Sequence, residues 1–333
     1  MAITLNGLMN LEPTVVSRDL TGYITYVYGQ AKVGKTTLAK DMGALIIACE
    51  DGTRAMSGAY AQIVNSWADI RTIARLLKDK NLKEKYKALA IDTVDIAGSL
   101  CEKYICNQND VDKITDIPYG GGWGLLKKEF EEVFRNIALE GYAILFISHD
   151  KTKEVTRQDG TKYDKIVPTV SATFNNILKN MSDIICYGYQ EPGTEKRYMI
   201  LRSDGSIDAG SRFPYMESRI EFGYEPLVKA LNDAIDKEEQ VSGPGAVTDK
   251  RIVREVEVNF DFDELVEEFN SLINGLYKDS DDEKFNEFWT PRITEITTKY
   301  LGQDHKVSDC NRNQAEQIYL IVSELKDMIE QNK

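Results

Sequence analysis

The sequence predicts an α/β fold with a mainly parallel sheet, followed by a small α-helical region. Three observations lead there. Gly29-Gln-Ala-Lys-Val-Gly34-Lys35-Thr36 matches the GxxxxGK[ST] phosphate-binding pattern. Short apolar runs alternate with helical stretches from Tyr23 to about Leu231, as in a parallel sheet covered on both faces. Beyond the turn-rich stretch Val241-Ser-Gly-Pro-Gly-Ala-Val247, acidic segments with helical spacing follow. The predicted division is a core over 1–240, a linker over 241–258 and an acidic helical region over 259–333. The 22 or so residues before the first strand are too few for a separate domain, so the core is expected to start almost at the N-terminus.

Taken in order, Tyr23–Tyr28 is β-branched and aromatic and reads as the first strand. The phosphate loop follows, and Thr36-Thr-Leu-Ala-Lys40 favours a helix start. Further strands are predicted at Ala44–Cys49, Ala88–Ile91, Ala143–Ser148, Ile184–Tyr189 and Tyr198–Leu201. Helical spacing marks Ser66–Lys78 and Leu125–Leu139, with Leu125, Phe130, Val133, Phe134 and Ile137 as the buried stripe of the second. In the last region, Phe262–Tyr277, Glu283–Tyr300 and Gln314–Glu330 read as helices, and Ser280 with Glu283 as a capping box.

Composition sets limits. The chain has 333 residues, 42% hydrophobic and 29% charged, values of an ordinary globular protein. No stretch approaches the roughly 20 apolar residues of a membrane span, and no secretory signal is visible, so the expected location is the cytoplasm (the bacterial host's, if phage-encoded). Cys49, Cys101, Cys106, Cys186 and Cys310 are scattered and read as reduced thiols. Two histidines make a His-rich metal site a poor fit. The net charge of −13 argues against nucleic-acid binding through overall positive charge. Residues 241–333 carry 11 Lys/Arg and 20 Asp/Glu, which leaves −4 for residues 1–240. A basic groove on the core is therefore compatible with the total.

The phosphate loop implies a specific chemistry. Residues Gly29, Gln30, Ala31, Lys32, Val33, Gly34, Lys35, Thr36 and Thr37 would cradle a nucleotide's phosphates with backbone N–H groups at a helix N-terminus. Lys35 would reach the β- and γ-phosphates, and the Thr36 hydroxyl would ligate Mg²⁺. Lys87-Ala-Leu-Ala-Ile-Asp92 is an apolar strand ending in a carboxylate, so Asp92 is read as the metal-side acid. Ala44–Cys49 ends at Glu50, where a carboxylate would face the ligand crevice and act as general base; a solvated turn is the other reading. His149, after Ala143–Ser148, is read as a γ-phosphate sensor that reports to the following segment, or else as a plain surface histidine. That segment, with Lys151, Lys153, Arg157, Lys162 and Lys165 around Asp159-Gly160, looks like a β-hairpin. It is either a strand-binding loop or a solvated hairpin. Tyr119-Gly-Gly-Gly-Trp123 reads as a flexible lead into the next helix, with base stacking as the alternative.

The motifs GQAKVGKTT, ACEDGT, LAIDT, DIPYGGGWGLL and ILFISHDK, with Asp208-Ala-Gly-Ser-Arg212, resemble the RecA-like phage nucleotide-binding proteins, including the Sak-type single-strand annealing proteins. The resemblance covers about Tyr23 to Leu231. Glu50 ahead of Asp92, and Thr93 rather than a carboxylate after it, fit the RecA arrangement better than the AAA+ one. The resemblance implies a RecA-like P-loop NTPase core, an ATPase with ATP and Mg²⁺ as cofactors. It also implies single-stranded DNA as partner, strand annealing or pairing in phage recombination, and a homo-oligomer, filament or ring. Such assemblies use a basic residue of the neighbouring subunit at the γ-phosphate, for which Lys196, Arg197 and Arg202 are candidates. The C-terminal region would serve a partner such as a phage exonuclease or a single-strand-binding protein, restrain the core as a DNA mimic, or simply add solubility. Two other functions fit the same residues: a RecA-core helicase or helicase loader, and a non-hydrolysing ATP-bound module that binds DNA or a partner.

Overall fold

A computed structural model describes residues 8–11, 13–243, 247–252, 260–303 and 305–332. The chain forms two compact units, one of residues 14–256 and one of residues 1–13 together with 257–333. The larger unit begins at Thr14.

The larger unit runs β1 (Val16–Ser17), β2 (Thr25–Gly29), α1 (Lys35–Asp41), β3 (Leu45–Ala48), β4 (Tyr60–Ile63), α2 (Trp67–Leu76), α3 (Lys80–Lys85), β5 (Ala88–Asp92), α4 (Val94–Gln108) and α5 (Gly121–Leu139). It continues with β6 (Ala143–Thr156), β7 (Lys162–Pro168), α6 (Ala172–Met181), β8 (Ile184–Gln190), β9 (Arg197–Ile200), β10 (Gly210–Ser211), β11 (Arg219–Glu221), α7 (Tyr224–Ser242) and β12 (Val247–Thr248). The main sheet has the order β11-β9-β8-β2-β6-β5-β3-β4. From β8 to β4 every pair is parallel. Antiparallel strands β9, β10 and β11 finish the β8 edge. All six predicted strands lie in this sheet. Edge strand β4 was not predicted, because each of its residues is exposed and it shows no apolar alternation.

Alternation along the buried strands gives the sheet two cores. Tyr26, Tyr28, Ile47, Leu89, Ile91 and Phe146 face one way, against α2, α4, α5 and α6. Val27, Ile46, Ala48, Ala90 and Ile147 face the other, against α1 and α7. Trp67 stacks on Phe130 at 5.7 Å, and Phe134 meets Phe146 edge-on at 5.4 Å. Each such ring, fully buried, contributes roughly 1.5–3 kcal/mol. The buried stripe of α5 is Leu126, Phe130, Val133, Phe134 and Ile137. Leu125 is 43% exposed; one position earlier than Leu126, it falls outside the i, i+4, i+7 face.

Strand β6 is 14 residues long. Its first six residues are buried and its seventh, His149, still pairs with Gly29 in the sheet; from Asp150 on the strand leaves the sheet and pairs antiparallel with β7, from Asp150↔Pro168 to Thr156↔Lys162. At the tip, Gly160 takes φ 83° and Asp159 Oδ1 accepts from the Thr161 amide at 2.9 Å. This is the Asp-Gly hairpin read from the sequence.

Part of the predicted linker belongs to the larger unit. Helix α7 runs to Ser242, and β12 pairs in parallel with β1. Arg18 joins Asp236, Glu239 and Asp249. The Arg251 guanidinium donates to the carbonyls of Thr21, Lys87 and Gly141, the last two lying just before β5 and β6. A Gly/Pro-rich sequence is followed here by residues with ionic and backbone partners, which composition does not reveal. Residues 244–246 and the expected linker from residue 253 on lie outside the described residues.

The smaller unit contains α8 (Phe262–Lys278), a helical stretch from Asp282 to Trp289 leading into α9 (Thr290–Leu301), and α10 (Ala315–Gln331). Leu265, Ile296, Val307, Ile318, Ile321, Val322 and Leu325 form its core. The predicted capping box is displaced by one residue: Asp281, not Ser280, caps the stretch by accepting from the Lys284 amide at 2.7 Å.

Candidate functional site

The phosphate loop leaves the carboxyl end of β2, whose five residues are all buried. Two glycines are required there. A Cβ at Gly29 would stand 2.1 Å from the Gly188 carbonyl oxygen. Gly34 has φ 114°, and a Cβ there would meet Arg197 at 3.1 Å and the Phe222 ring at 3.2 Å. Lys32 also takes a left-handed conformation, φ 65°. Lys35 opens α1 with its side chain over the loop, and its Nζ donates to the carbonyls of Gly29 at 2.7 Å and Gln30 at 2.8 Å. Burial holds its pKa below the ordinary lysine value, against the opposing pull of Asp150, Asp92, Asp95 and Glu50.

Strand register assembles the acids. Ala48 pairs with Asp92 and Gly29 with His149. The Asp92 carbonyl accepts from the amides of Cys49 at 2.7 Å and Glu50 at 3.1 Å, which carries Glu50 to the same strand end. The peptide joining Asp92 to Thr93 is cis. Thr36 Oγ1 donates to Asp92 Oδ2 at 2.7 Å. Glu50 Oε1 accepts from Thr93 Oγ1 at 2.9 Å and lies 3.6 Å from His149 Nε2. Asp92 is 7% exposed; burial raises its pKa, and the Thr36 hydrogen bond, Lys35 and His149 only partly offset this.

Lys35, Thr36, Asp92, Glu50 and His149 are thus brought together as the motifs predicted. Two residues of the cluster were missed. Thr93 orients Glu50. Asp150 accepts from the Tyr187 hydroxyl at 3.2 Å, and among charged groups it exerts the strongest pull on Lys35. Both directly follow a residue that the motif reading had picked, so the polar run at each strand end was the available signal.

The basic candidates divide. Lys165 Nζ pairs with Asp208 at 2.7 Å, and Lys162 with Glu154 at 2.7 Å. Lys151 donates to the Thr169 carbonyl at 2.9 Å. Lys153, opposite Lys165 in register, is exposed, and the Arg157 guanidinium lies 4.6 Å from the Tyr163 ring centroid. Of the three residues considered for action on a neighbouring subunit, Arg202 is fastened within its own chain to the carbonyls of Met216 and Pro214. Arg197 donates to the Val33 carbonyl of its own loop at 3.1 Å. Lys196 is exposed beside it in the β8–β9 turn. Tyr119 and Trp123 are 105% and 44% exposed, at the start of α5.

The donor set suits the implied cofactors. A buried ammonium beside a glycine-permitted loop matches a polyphosphate, and a hydroxyl next to a carboxylate supplies the hard oxygen ligands that Mg²⁺ takes. A phosphate loop after β2, a carboxylate ending β5 two strands away, and β6 between them in a mainly parallel sheet define a RecA-like P-loop NTPase core.

Comparison with known proteins places the chain more narrowly. It belongs to the AAA domain family, whose profile matches residues 21–213. The SPbeta prophage-derived uncharacterized protein YorG of Bacillus subtilis (strain 168) is 31% identical over 334 residues, covering 97% of this chain and 98% of that protein. Among solved structures, the RadB recombinase aligns with TM-score 0.37 at 14% identity, covering 61% of this chain and 87% of its own. A KaiC-like protein from Pyrococcus horikoshii OT3 aligns with TM-score 0.35 at 14% identity, covering 61% and 85%. Strand order and site geometry, not these two distant likenesses, define the fold. Among the described residues no helix is long and apolar enough to cross a membrane.

Proposed function

We propose that this protein is a Mg²⁺-dependent ATPase that binds single-stranded DNA and promotes strand annealing or pairing during phage recombination. One observation carries the reading: β6 runs unbroken from the sheet, past His149 beside Glu50, into the hairpin that bears Lys151, Lys153 and Arg157 among its acidic residues Glu154, Asp159 and Asp164. The resemblance of the motifs to phage annealing proteins supports the choice of reaction, and the prophage origin of a full-length relative agrees with it.

Each residue has a role in this reading. The loop amides and Lys35 bind and orient the phosphates. Thr36 and Asp92 hold the metal, which when bound neutralises polyphosphate charge. Glu50, aligned by Thr93, takes a proton from the attacking water. His149 senses the γ-phosphate and passes its presence along β6, so that Lys151, Lys153 and Arg157 meet DNA phosphates in the ATP state. Lys196 acts on a neighbouring subunit's site in a homo-oligomer.

The test is ATP turnover with and without single-stranded DNA over a range of salt, with Glu50→Gln beside the wild type. DNA-stimulated hydrolysis, abolished in Glu50→Gln while ATP binding persists, supports the reading. Unwinding of duplex DNA would favour a helicase instead. Background turnover with normal ATP affinity would favour a non-hydrolysing module.

A further inference from the structure

We propose that Arg197 works on its own subunit, as an electrostatic brace behind the phosphate loop, and that it sets nucleotide affinity through the Val33–Gly34 peptide. The proposal rests on the nucleotide-site reading above. Gln190 and Arg197 face each other across the β8–β9 hairpin, and both are tied to the loop. The Gln190 amide donates to Gln30 Oε1 at 2.9 Å, and Arg197 Nη1 donates to the Val33 carbonyl at 3.1 Å. The Gln30 amide donates to the Gly188 carbonyl at 3.1 Å. The Phe222 amide donates to the Arg197 carbonyl at 2.9 Å, and the Phe222 ring lies against Gly34 and Gly188. The outer side of the loop is therefore covered by one short hairpin and one ring.

Among the described residues Arg197 forms no ion pair; its cation is directed at a backbone carbonyl. A charge-assisted hydrogen bond on a carbonyl draws electron density through the amide and makes the N–H of the same peptide a stronger donor. That N–H belongs to Gly34. In a planar trans peptide it points away from the carbonyl, towards the side where phosphates would lie. Arg197 is thus a positioning residue. It touches no phosphate, yet it strengthens a donor that would.

The experiment titrates fluorescent ADP and ATP analogues, with Mg²⁺, into the full chain. It compares wild type, Arg197→Ala, Arg197→Lys and Arg197→Gln, with Lys35→Ala as the control for the site. Expected are a loss of affinity of about tenfold for both nucleotides in Arg197→Ala, and recovery to within about threefold in Arg197→Lys. Arg197→Gln, a neutral donor, should stay near the alanine variant. Urea midpoints of the nucleotide-free proteins separate loss of fold from loss of brace, and the lysine and glutamine variants keep the test open should alanine unfold. Wild-type affinity in Arg197→Ala, or full rescue by glutamine, overturns the inference while leaving the site intact. A defect seen only at protein concentrations where the chain self-associates overturns the same-subunit assignment. Undiminished binding in Lys35→Ala overturns the nucleotide site itself, and the brace with it.

Discussion

Asp208→Asn should loosen the root of the β6–β7 hairpin and release a basic residue at the same time. Asp208 is 13% exposed and takes Lys165 at 2.7 Å and Lys179 at 3.2 Å. Around it, the Asp208 amide donates to the Ile166 carbonyl, and Ile166 bridges Ile207. Burial would raise the pKa of this carboxyl, but the two lysines outweigh it and hold it below the ordinary aspartate value. The sign follows. A depressed pKa contributes stability that is present above the ordinary carboxylate value and lost as pH falls through the lower one. With the lysines 26% and 35% exposed and partly screened, the pair of bridges is worth about 1–2 kcal/mol. A loss of that size should lower Tm by about 3–6 °C for a domain of this size. The deficit relative to wild type should be constant from pH 8 to pH 5 and fade only below about 3.8. Single-stranded DNA affinity should rise, and the slope of log K against log salt should steepen by about 0.7 if the freed Lys165 gains one phosphate contact. Thermal denaturation across pH and DNA titrations across salt read both effects. Unchanged stability at pH 7, or a deficit that persists undiminished at low pH, would refute the electrostatic account. Weaker DNA binding would refute the assignment of the hairpin.

Arg251→Ala removes a donor shared by three carbonyls and should destabilise the larger unit by about 2–3 kcal/mol in urea, with nucleotide affinity retained. Gly188→Ala places a Cβ 2.5 Å from the Phe222 ring; it should cost about 1–3 kcal/mol of stability and weaken nucleotide binding, read in one titration. His149→Ala should leave ATP affinity largely intact while DNA affinity ceases to depend on which nucleotide is present.

Much of the site was legible because strand ends concentrate polar residues where a parallel sheet binds ligand. Gly29–Thr36, Glu50, Asp92 and His149 each follow an apolar run, and strand register then brings them together. Pairings between remote segments were less legible. Nothing local in Lys165 announces Asp208, and nothing in Arg197 announces Val33; both partners are supplied by tertiary packing. The edge strand β4 escaped because exposure on both faces removes the period-two signal. The attachment of residues 247–252 escaped because Gly and Pro mark a turn without saying whether the chain returns to the body it left.

In the switch proposed above, strand β6 would act as a lever. From Asp150 to Thr156 it extends about 23 Å beyond the sheet, at roughly 3.3 Å per residue. Seated at His149, a swing of about 10° would sweep its far end through about 4 Å, close to the spacing of neighbouring strands. A displacement too small to disturb the packed sheet would thus be multiplied at the tip without a hinge. The hydrogen bonds to β7 would stiffen the arm against bending, and the ion pair of Lys165 with Asp208 would limit its travel.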